Sequence, residues 1–234
     1  MIIDMHVHQL LHSPCSGMTL EEAVAAARFH GLDGICITDH DSMEIQNDAA
    51  DYLRTLDFPV FIGAEVCTRY EDAQGHLYAD IIALGLHSLP KIEQYSYELP
   101  IQEFLDWVNA QGGFCFAAHP FRESAKWGRF LDSVSVQGLH GVEIYNGQNS
   151  SKANDMARDA CRRLGLIPVA GSDAHEVDRL GAYAMWFPEP IADTAALVAA
   201  LKAGKGRPVM RKGARDYTLH VKSRRHDFVR GITY

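Results

Sequence analysis

This chain of 234 residues lacks long apolar runs and the best-known motifs for binding nucleotides. No apolar run approaches the roughly 18 residues that a membrane-spanning helix needs, and residues 1–4 lack the basic and apolar stretches of a signal peptide. The sequence has no G-x-x-x-x-G-K-[ST] loop, no G-x-G-x-x-G loop and no G-x-S-x-G turn. We therefore expect a cytoplasmic protein without membrane contact. Nucleoside triphosphate binding, dinucleotide binding and a serine nucleophile are all disfavoured.

Cysteine is also scarce, and its spacing argues against cross-linking. The five cysteines, at positions 15, 36, 67, 115 and 161, are widely spaced and form no C-x-x-C pair. An odd number of scattered cysteines predicts reduced thiols, and neither a disulfide framework nor a zinc finger. Histidine is the residue whose number is unusual, because the chain contains 12 of them.

The composition is globular, with 47% hydrophobic and 22% charged residues, but the charge is unevenly distributed. Residues 205–234 contain nine Lys or Arg and two Asp, a balance of +7, so the preceding residues carry −15 and the total is −8. An acidic body argues against a general duplex-DNA binder. The basic segment could bind nucleic acid, but we favour its packing over the acidic body. Residues 1–234 are thus expected to form a single domain, with the basic C-terminal segment 205–234 packed on it.

Segments typical of strands and helices alternate along the chain without a break in composition. Predicted strands cover residues 2–7, 34–38, 60–66, 79–86, 114–118, 141–145 and 167–170. Predicted helices begin at Thr19, near residue 44, at Pro100, at Ser150 or Ser151, and at Asp193, where capping residues precede apolar periodicity. A loop or hairpin is expected around residues 72–75. Repeated β–α units of this length predict an α/β domain built on a parallel sheet or barrel.

Histidines and carboxylates gather where the predicted strands end. In a (β/α) barrel the C-terminal ends of the strands converge on one mouth, where the chemistry takes place. His6 and His8 point to the same face of a strand, so both imidazoles can reach one ion. A ligand set this large exceeds what one tetrahedral ion needs, and it indicates two or three divalent metal ions. The candidate metal ligands are His6, His8, His40, Glu65, Asp80, His119, Asp173 and His175.

Five motifs in this order resemble the polymerase and histidinol phosphatase (PHP) family of metal-dependent phosphoesterases. They are Asp4-x-His6-x-His8, Ile37-Thr38-Asp39-His40, Gly63-x-Glu65, Ala118-His119-Pro120 and Gly171-Ser172-Asp173-Ala174-His175. The resemblance implies a distorted, TIM-like (β/α)7 barrel with its metal site at the C-terminal ends of the strands. It also implies two or three ions of Zn, Mn or Fe.

The same resemblance implies how the ligands are shared among the ions. One ion would be held by His6, His8, Glu65 and Asp173. Glu65 would bridge to a second ion, which His119 and Asp80 would also hold. A third ion would belong to His40 and His175. Two positions depart from the family pattern. Asp80 stands where relatives often have a histidine, with His76 as the alternative ligand. Cys15 stands where they commonly have an Asp or a His, so it is a further candidate for the third ion.

The predicted activity is hydrolysis of a phosphate ester by a metal-activated water. Asp173 and His175 are the candidates for managing protons, and Arg122 and Arg179 are the candidates for binding the substrate phosphate, unless they are surface arginines. We favour a small phosphorylated substrate. Two alternatives remain: a module that acts on nucleic-acid ends or accompanies a polymerase, and a metal-binding scaffold without catalytic activity.

Overall fold

The computed structural model contains one mixed β-sheet. It describes residues 1–72, 75–91, 99–122, 130–133, 135–213, 215–219 and 228–229. Its strands, in chain order, are β1 (Ile2–Val7), β2 (Gly34–Ile37), β3 (Val60–Asp72), β4 (Gly75–Leu84), β5 (Phe114–Ala117), β6 (Gly141–Asn146), β7 (Ile167–Gly171), β8 (Tyr183–Trp186), β9 (Arg207–Arg211), β10 (Tyr217–Leu219) and β11 (Phe228–Val229). Their order across the sheet is β11-β10-β9-β8-β1-β2-β3-β4-β5-β6-β7.

The sheet curls so strongly that its β7 end returns to β1. The His8 amide donates to the carbonyl of Ala174 (3.0 Å), and the Asp173 amide donates to the carbonyl of His6 (2.8 Å). At this seam the end of β7 lies beside the end of β1. Gly171 permits the approach, because a Cβ on Gly171 would lie 2.5 Å from the Cβ of His6. The predicted α/β fold class is confirmed in the form of a strongly curled, open half-barrel.

The strand directions differ from a uniform series of β–α units. The triplets β1-β2-β3 and β5-β6-β7 are each parallel, whereas β4 runs antiparallel to both of its neighbours. The cause is local, because β3 and β4 are paired as far as Asp72 and Gly75 and so form a hairpin. The hairpin alternative of the sequence interpretation was therefore correct.

Seven helices lie in the described residues: α1 (Leu20–Phe29), α2 (Ile45–Asp48), α3 (Ala50–Thr55), α4 (Ile101–Ala110), α5 (Phe130–Ser133), α6 (Ser151–Leu164) and α7 (Thr194–Lys202). Of these, α1, α2, α4, α6 and α7 begin where the sequence predicts a helix start, whereas α5 was not predicted. Thr19 and Glu22 form the predicted capping box, and Ser150 and Asp193 cap α6 and α7 with their side chains. The predicted helix 44–56 is interrupted at Ala49, whose backbone leaves the helical region.

Apolar side chains fill both sides of the sheet. The larger cluster includes Met5, Ile82 and Phe116, and a second cluster around α1 includes Ile35 and Tyr217.

In the described part of residues 205–234, β9 and β10 continue the sheet beyond β8. Residues 214, 220–227 and 230–234 lie outside the described part of the chain. Among the described residues, no helix has the length and apolar character needed to cross a membrane.

Candidate metal centre

Four donor atoms from three strands converge at the mouth of the half-barrel. The Nε2 atoms of His6 and His8 lie 3.0 Å apart. Glu65 Oε2 lies 3.3 Å from the first of these nitrogens and 3.2 Å from the second. Asp173 Oδ1 lies 3.4 Å from each of them. All four side chains are buried, so these atoms form a closed polar cluster inside an apolar fold.

The short separations of these atoms suit a divalent ion. An ion that binds two donor atoms 3.0–3.4 Å apart at a near-tetrahedral angle lies about 2.0 Å from each, the usual length of a bond from zinc to nitrogen or oxygen. Without a cation, two imidazole nitrogens and two carboxylate oxygens this close would be held only by shared protons. The donor set of His6, His8, Glu65 and Asp173 therefore fits the ion that the sequence prediction assigned to it.

Glu65 connects this cluster to two further groups of potential ligands. Its other oxygen, Oε1, lies 2.8 Å from His119 Nε2, and its Oε2 lies 3.2 Å from His40 Nδ1. His6, Glu65 and His119 form one group of donors within 4.8 Å of one another; His8, His40 and His175 form another. A carboxylate with donors on both oxygens is suited to bridging two ions.

The remaining ring nitrogens of His6 and His8 fix the direction of their lone pairs. His6 Nδ1 lies 3.0 Å from Glu143 Oε1, and His8 Nδ1 lies 3.2 Å from Ser13 Oγ. Ser13 Oγ donates to Asp39 Oδ1 at 2.8 Å, so the hydroxyl accepts the proton of His8 Nδ1. With Nδ1 protonated, Nε2 of each ring presents a lone pair to the cluster, as a metal ligand must.

Two of the donor residues have unusual backbone conformations. His119 (φ 27°) and Asp173 (φ 54°) occupy the left-handed region, and so does Asp41 (φ 52°) beside His40. None of them is a glycine, so each conformation costs energy that the surrounding contacts must offset. Backbone strain of this kind concentrates at functional sites, and here it lies at the strand ends that carry the donors.

Opposite charges inside the site shift the pKa values of its groups. Burial alone would lower the pKa of His6, but the negative charge of Asp173 and its neighbours raises that pKa well above its usual value. The pKa values of His8 and His119 are also raised, against the effect of burial, by carboxylate partners. Burial would raise the pKa values of Glu65 and Asp173, but the charge of His6 holds both well below their usual range. A cation that binds here must displace protons.

His175 behaves differently from the other imidazoles. Its ring lies 4.4 Å from that of His8, and its Nδ1 lies 3.0 Å from the carbonyl oxygen of Asp173, to which it donates. Partial burial and then the charge of His8 lower the pKa of His175, so its ring is neutral near neutral pH. The Nε2 of His175 therefore carries a lone pair that can bind a metal or accept a proton.

The remaining predicted ligands lie at the edge of this cluster. Asp80 Oδ2 lies 3.9 Å from His119 Nε2, so the carboxylate is near the second group of donors. Cys15 is exposed, and partial burial followed by nearby negative charges raises the pKa of its thiol. The side chain of His76 lies outside the described part of the chain.

The two predicted phosphate-binding arginines differ in position. Arg122 lies at the mouth, where its guanidinium contacts Asp173 Oδ2 and donates to Asn146 Oδ1 at 3.3 Å. Arg179 is exposed in the turn after His175, so substrate contact by Arg179 stays a prediction.

Tyr145 is a core residue, because it is buried and stacks on Tyr183 with ring centroids 5.4 Å apart.

Sequence reasoning missed Glu143 and Ser13, which hold the two histidines of the H-x-H pair. Glu143 has no motif around it, but it is the only charged residue in the otherwise apolar strand 141–145. An isolated carboxylate in a strand whose composition predicts burial is a signal that could have found it, because such a charge needs partners. Ser13 lies in a loop that also contains Ser16, and nothing in the sequence distinguishes the two.

Comparisons with known proteins agree with this geometry. A protein-family profile described as PHP-associated matches residues 151–205. No curated protein matches the sequence significantly. Among solved structures, a candidate metal-dependent phosphoesterase from Bifidobacterium adolescentis is similar with a TM-score of 0.61 and 15% identity, over 86% of this chain and 96% of that chain.

Two further structures have the same fold. A two-domain protein from Bacteroides vulgatus, containing a predicted PHP-like metal-dependent phosphoesterase, matches with a TM-score of 0.61 and 18% identity over 90% of this chain and 64% of that chain. An amidohydrolase from Chromobacterium violaceum, with bound sulfate and no metal, matches with a TM-score of 0.61 and 17% identity over 91% and 99%. The chain thus has the fold of PHP-like metal-dependent phosphoesterases and carries a PHP-associated region, which confirms the resemblance that its motifs indicate.

Proposed function

We propose that the protein is a metal-dependent phosphoesterase that hydrolyses a small phosphate ester. The observation that carries the proposal is the buried cluster in which Glu65 and Asp173 each lie 3.2–3.4 Å from Nε2 of both His6 and His8, joined through Glu65 to His119. Zn²⁺, Mn²⁺ or Fe²⁺ held by these residues would supply Lewis acidity and lower the pKa of a bound water. Glu65 would be shared by two ions, with Asp80 beside His119. His40 and His175 would belong to a third.

The chain itself provides the groups that handle protons. His175 presents Nε2 with its lone pair, since its Nδ1 is engaged by the carbonyl of Asp173. A neutral imidazole at the mouth can accept a proton from the attacking water or return one to the leaving oxygen. Asp173 remains ionised, because its contacts outweigh the effect of burial and keep its pKa well below the usual value. It therefore serves as a ligand, or as a hydrogen-bond acceptor that orients the attacking water.

Arg122 supplies the positive charge for the substrate. About one-third of the Arg122 side chain (34%) is exposed. Its Nη2 contacts Asp173 and Asn146, and its Nε contacts Asn149. Among the described residues its Nη1 makes no hydrogen bond, so one edge of the fork can turn to a phosphate oxygen. A tetrahedral oxyanion occurs in a protein of this fold, since the Chromobacterium violaceum amidohydrolase contains bound sulfate.

Elemental analysis and phosphatase assays test the proposal together. Protein purified without chelators should contain at least two divalent ions per chain, and it should hydrolyse an aryl phosphate or small phosphomonoesters with a rate that chelators abolish. One ion or none per chain would remove the basis for the mechanism. Bound metal without turnover of any phosphate ester would favour a scaffold. Steeply salt-dependent binding of oligonucleotides would favour a nucleic-acid substrate.

A further inference from the structure

Glu143 lies at the centre of the hydrogen bonds behind the metal centre. The residue is fully buried in the apolar strand β6, and three donors converge on its two oxygens. Oε1 faces His6 Nδ1 at 3.0 Å. Oε2 accepts from the backbone amide of His119 at 2.8 Å and from Asn146 Nδ2 at 2.9 Å. A carboxylate in an apolar strand is costly unless its oxygens are satisfied in this way.

These contacts reach each part of the cluster. His6 belongs both to the group with His8 and Asp173 and to the group with Glu65 and His119. The amide that Glu143 holds belongs to His119, whose backbone is in the left-handed region at φ 27°. Asn146 Nδ2 also donates to Asp173 Oδ2 at 3.2 Å. Glu143 thus contacts the ring of His6, the backbone amide of His119 and the side chain of Asn146, which in turn donates to Asp173.

We propose that Glu143 is the positioning residue of the metal centre: it fixes the Nδ1–H tautomer of His6 and thereby presents the Nε2 lone pair to the ion. The inference rests on the proposed metal centre, but on neither the substrate nor the reaction. A histidine ligand needs its proton on the nitrogen that faces away from the metal, and an acceptor behind that nitrogen secures this arrangement.

The consequence of an isosteric substitution follows from the donors around the carboxylate. In Glu143→Gln one oxygen becomes an NH2 group. The backbone amide of His119 cannot become an acceptor. Asn146 cannot flip, because its Oδ1 accepts from the amide of Gln148 (2.8 Å). The glutamine oxygen therefore stays at the Oε2 position, and its NH2 faces His6 Nδ1.

An NH2 group opposite Nδ1 reverses the tautomer of His6. The Nδ1 atom must then accept, so the proton of a neutral ring moves to Nε2, which lies 3.0 Å from His8 Nε2. A protonated Nε2 has no lone pair for an ion. We expect Glu143→Gln to weaken Zn²⁺ binding roughly 10–100-fold, the usual effect of removing such a partner.

Asp4→Asn is a matched control. Asp4 is a fully buried carboxylate on β1, and its oxygens accept from the backbone amides of His6 (3.2 Å), Ser172 (2.8 Å) and Gly181 (2.8 Å). No imidazole ring of the described residues donates to it, so its substitution should change stability without changing the tautomer of His6. Zn²⁺ affinity of the metal-free full-length chain, measured by chelator competition, should fall far less in Asp4→Asn than in Glu143→Gln.

The tautomer itself can be observed without any glutamate variant. Imidazole ¹H–¹⁵N correlations of the Zn²⁺-loaded wild-type chain, with His6 assigned from a His6→Gln sample, should show a proton on Nδ1. A His6 ring protonated at Nε2, or unprotonated at Nδ1, would overturn the proposal even if Glu143→Gln does not fold. So would a folded Glu143→Gln with Zn²⁺ affinity within twofold of wild type, or an equal loss in Asp4→Asn. The measurements use only Zn²⁺, so a lack of phosphatase activity would refute the proposed function and leave this inference standing.

Discussion

The position of Glu65 makes Glu65→Gln the most informative single substitution. Its Oε2 lies 3.3 Å from His6 Nε2, 3.2 Å from His8 Nε2 and 3.2 Å from His40 Nδ1, whereas its Oε1 faces His119 Nε2 at 2.8 Å. Glutamine has the same shape but only one oxygen. Whichever way the amide turns, its NH2 faces one of the two groups of donors, and that group loses both a ligand atom and a negative charge.

The magnitude follows from the strength of a single ligand bond in this site. One charge-assisted interaction in a site with little water is worth about 2–4 kcal/mol, which corresponds to a roughly thirty- to thousandfold weaker affinity for the affected ion. The oxygen should remain on the side with three imidazoles, so the ion beside His119 should be lost first. We expect metal content to fall by about one ion per chain and kcat/KM to fall by two or more orders of magnitude.

The assay is elemental analysis after dialysis against a series of free Zn²⁺ concentrations, together with aryl phosphate turnover. Glu71→Gln is the matched control, because Glu71 is exposed on the same strand beyond the site. That variant should keep wild-type metal content and activity. Two ions bound with wild-type affinity in Glu65→Gln would show that Glu65 does not bridge them, and the reasoning from its two oxygens would be refuted.

Three further predictions concern the substrate, the protons and the C-terminal strands. Arg122→Ala should lower kcat/KM for phosphate esters roughly thirty- to thousandfold with unchanged metal content, and Arg122→Lys should rescue it only in part; a loss of metal instead would identify Arg122 as a support for Asp173. The pKa values of His6, His8 and His119 are raised, so these rings keep their protons to higher pH. Zn²⁺ affinity should therefore increase as pH rises, and the number of protons released on metal addition should decrease. Titrations with Zn²⁺ in weakly buffered solutions measure both quantities. Tyr217→Ala should lower the free energy of unfolding by about 3–5 kcal/mol in denaturant titrations, since the ring is fully buried; an effect below about 1 kcal/mol would show that β10 does not stabilise the fold.

Much of the site could be predicted because the ligands follow strand ends. His6, His8, Glu65, His119 and Asp173 each occur at or near the point where an apolar run finishes, and a curled sheet brings such points together. The capping residues of α1, α6 and α7 could be predicted for a similar reason, since a cap depends on only three or four neighbouring residues. Both patterns involve residues that are close in sequence, so the structures they predict do not depend on distant contacts.

Other features depend on contacts between distant residues, and sequence patterns do not encode those. The direction of β4 depends on whether residues 72–75 form a hairpin or another loop, and both alternatives suit the same apolar runs. Glu143 meets His6 across 137 residues, so its partner is defined only once the seam between β1 and β7 has formed. Likewise, the pairing of Arg122 with Asp173 depends on how the two strand ends approach each other.

The seam between β1 and β7 also has a consequence for biosynthesis. Asp173 donates its amide to the carbonyl of His6, which is 167 residues earlier in the chain. At a translation rate of 5–20 residues per second, the later residue follows the earlier one by roughly 10–30 s. Throughout that interval β1 lacks both the seam with β7 and its neighbour β8, which follows β7 in the chain. The apolar side chains of Ile2, Ile3 and Met5 are therefore exposed to other chains during synthesis, and we expect chaperone dependence to concentrate on this strand.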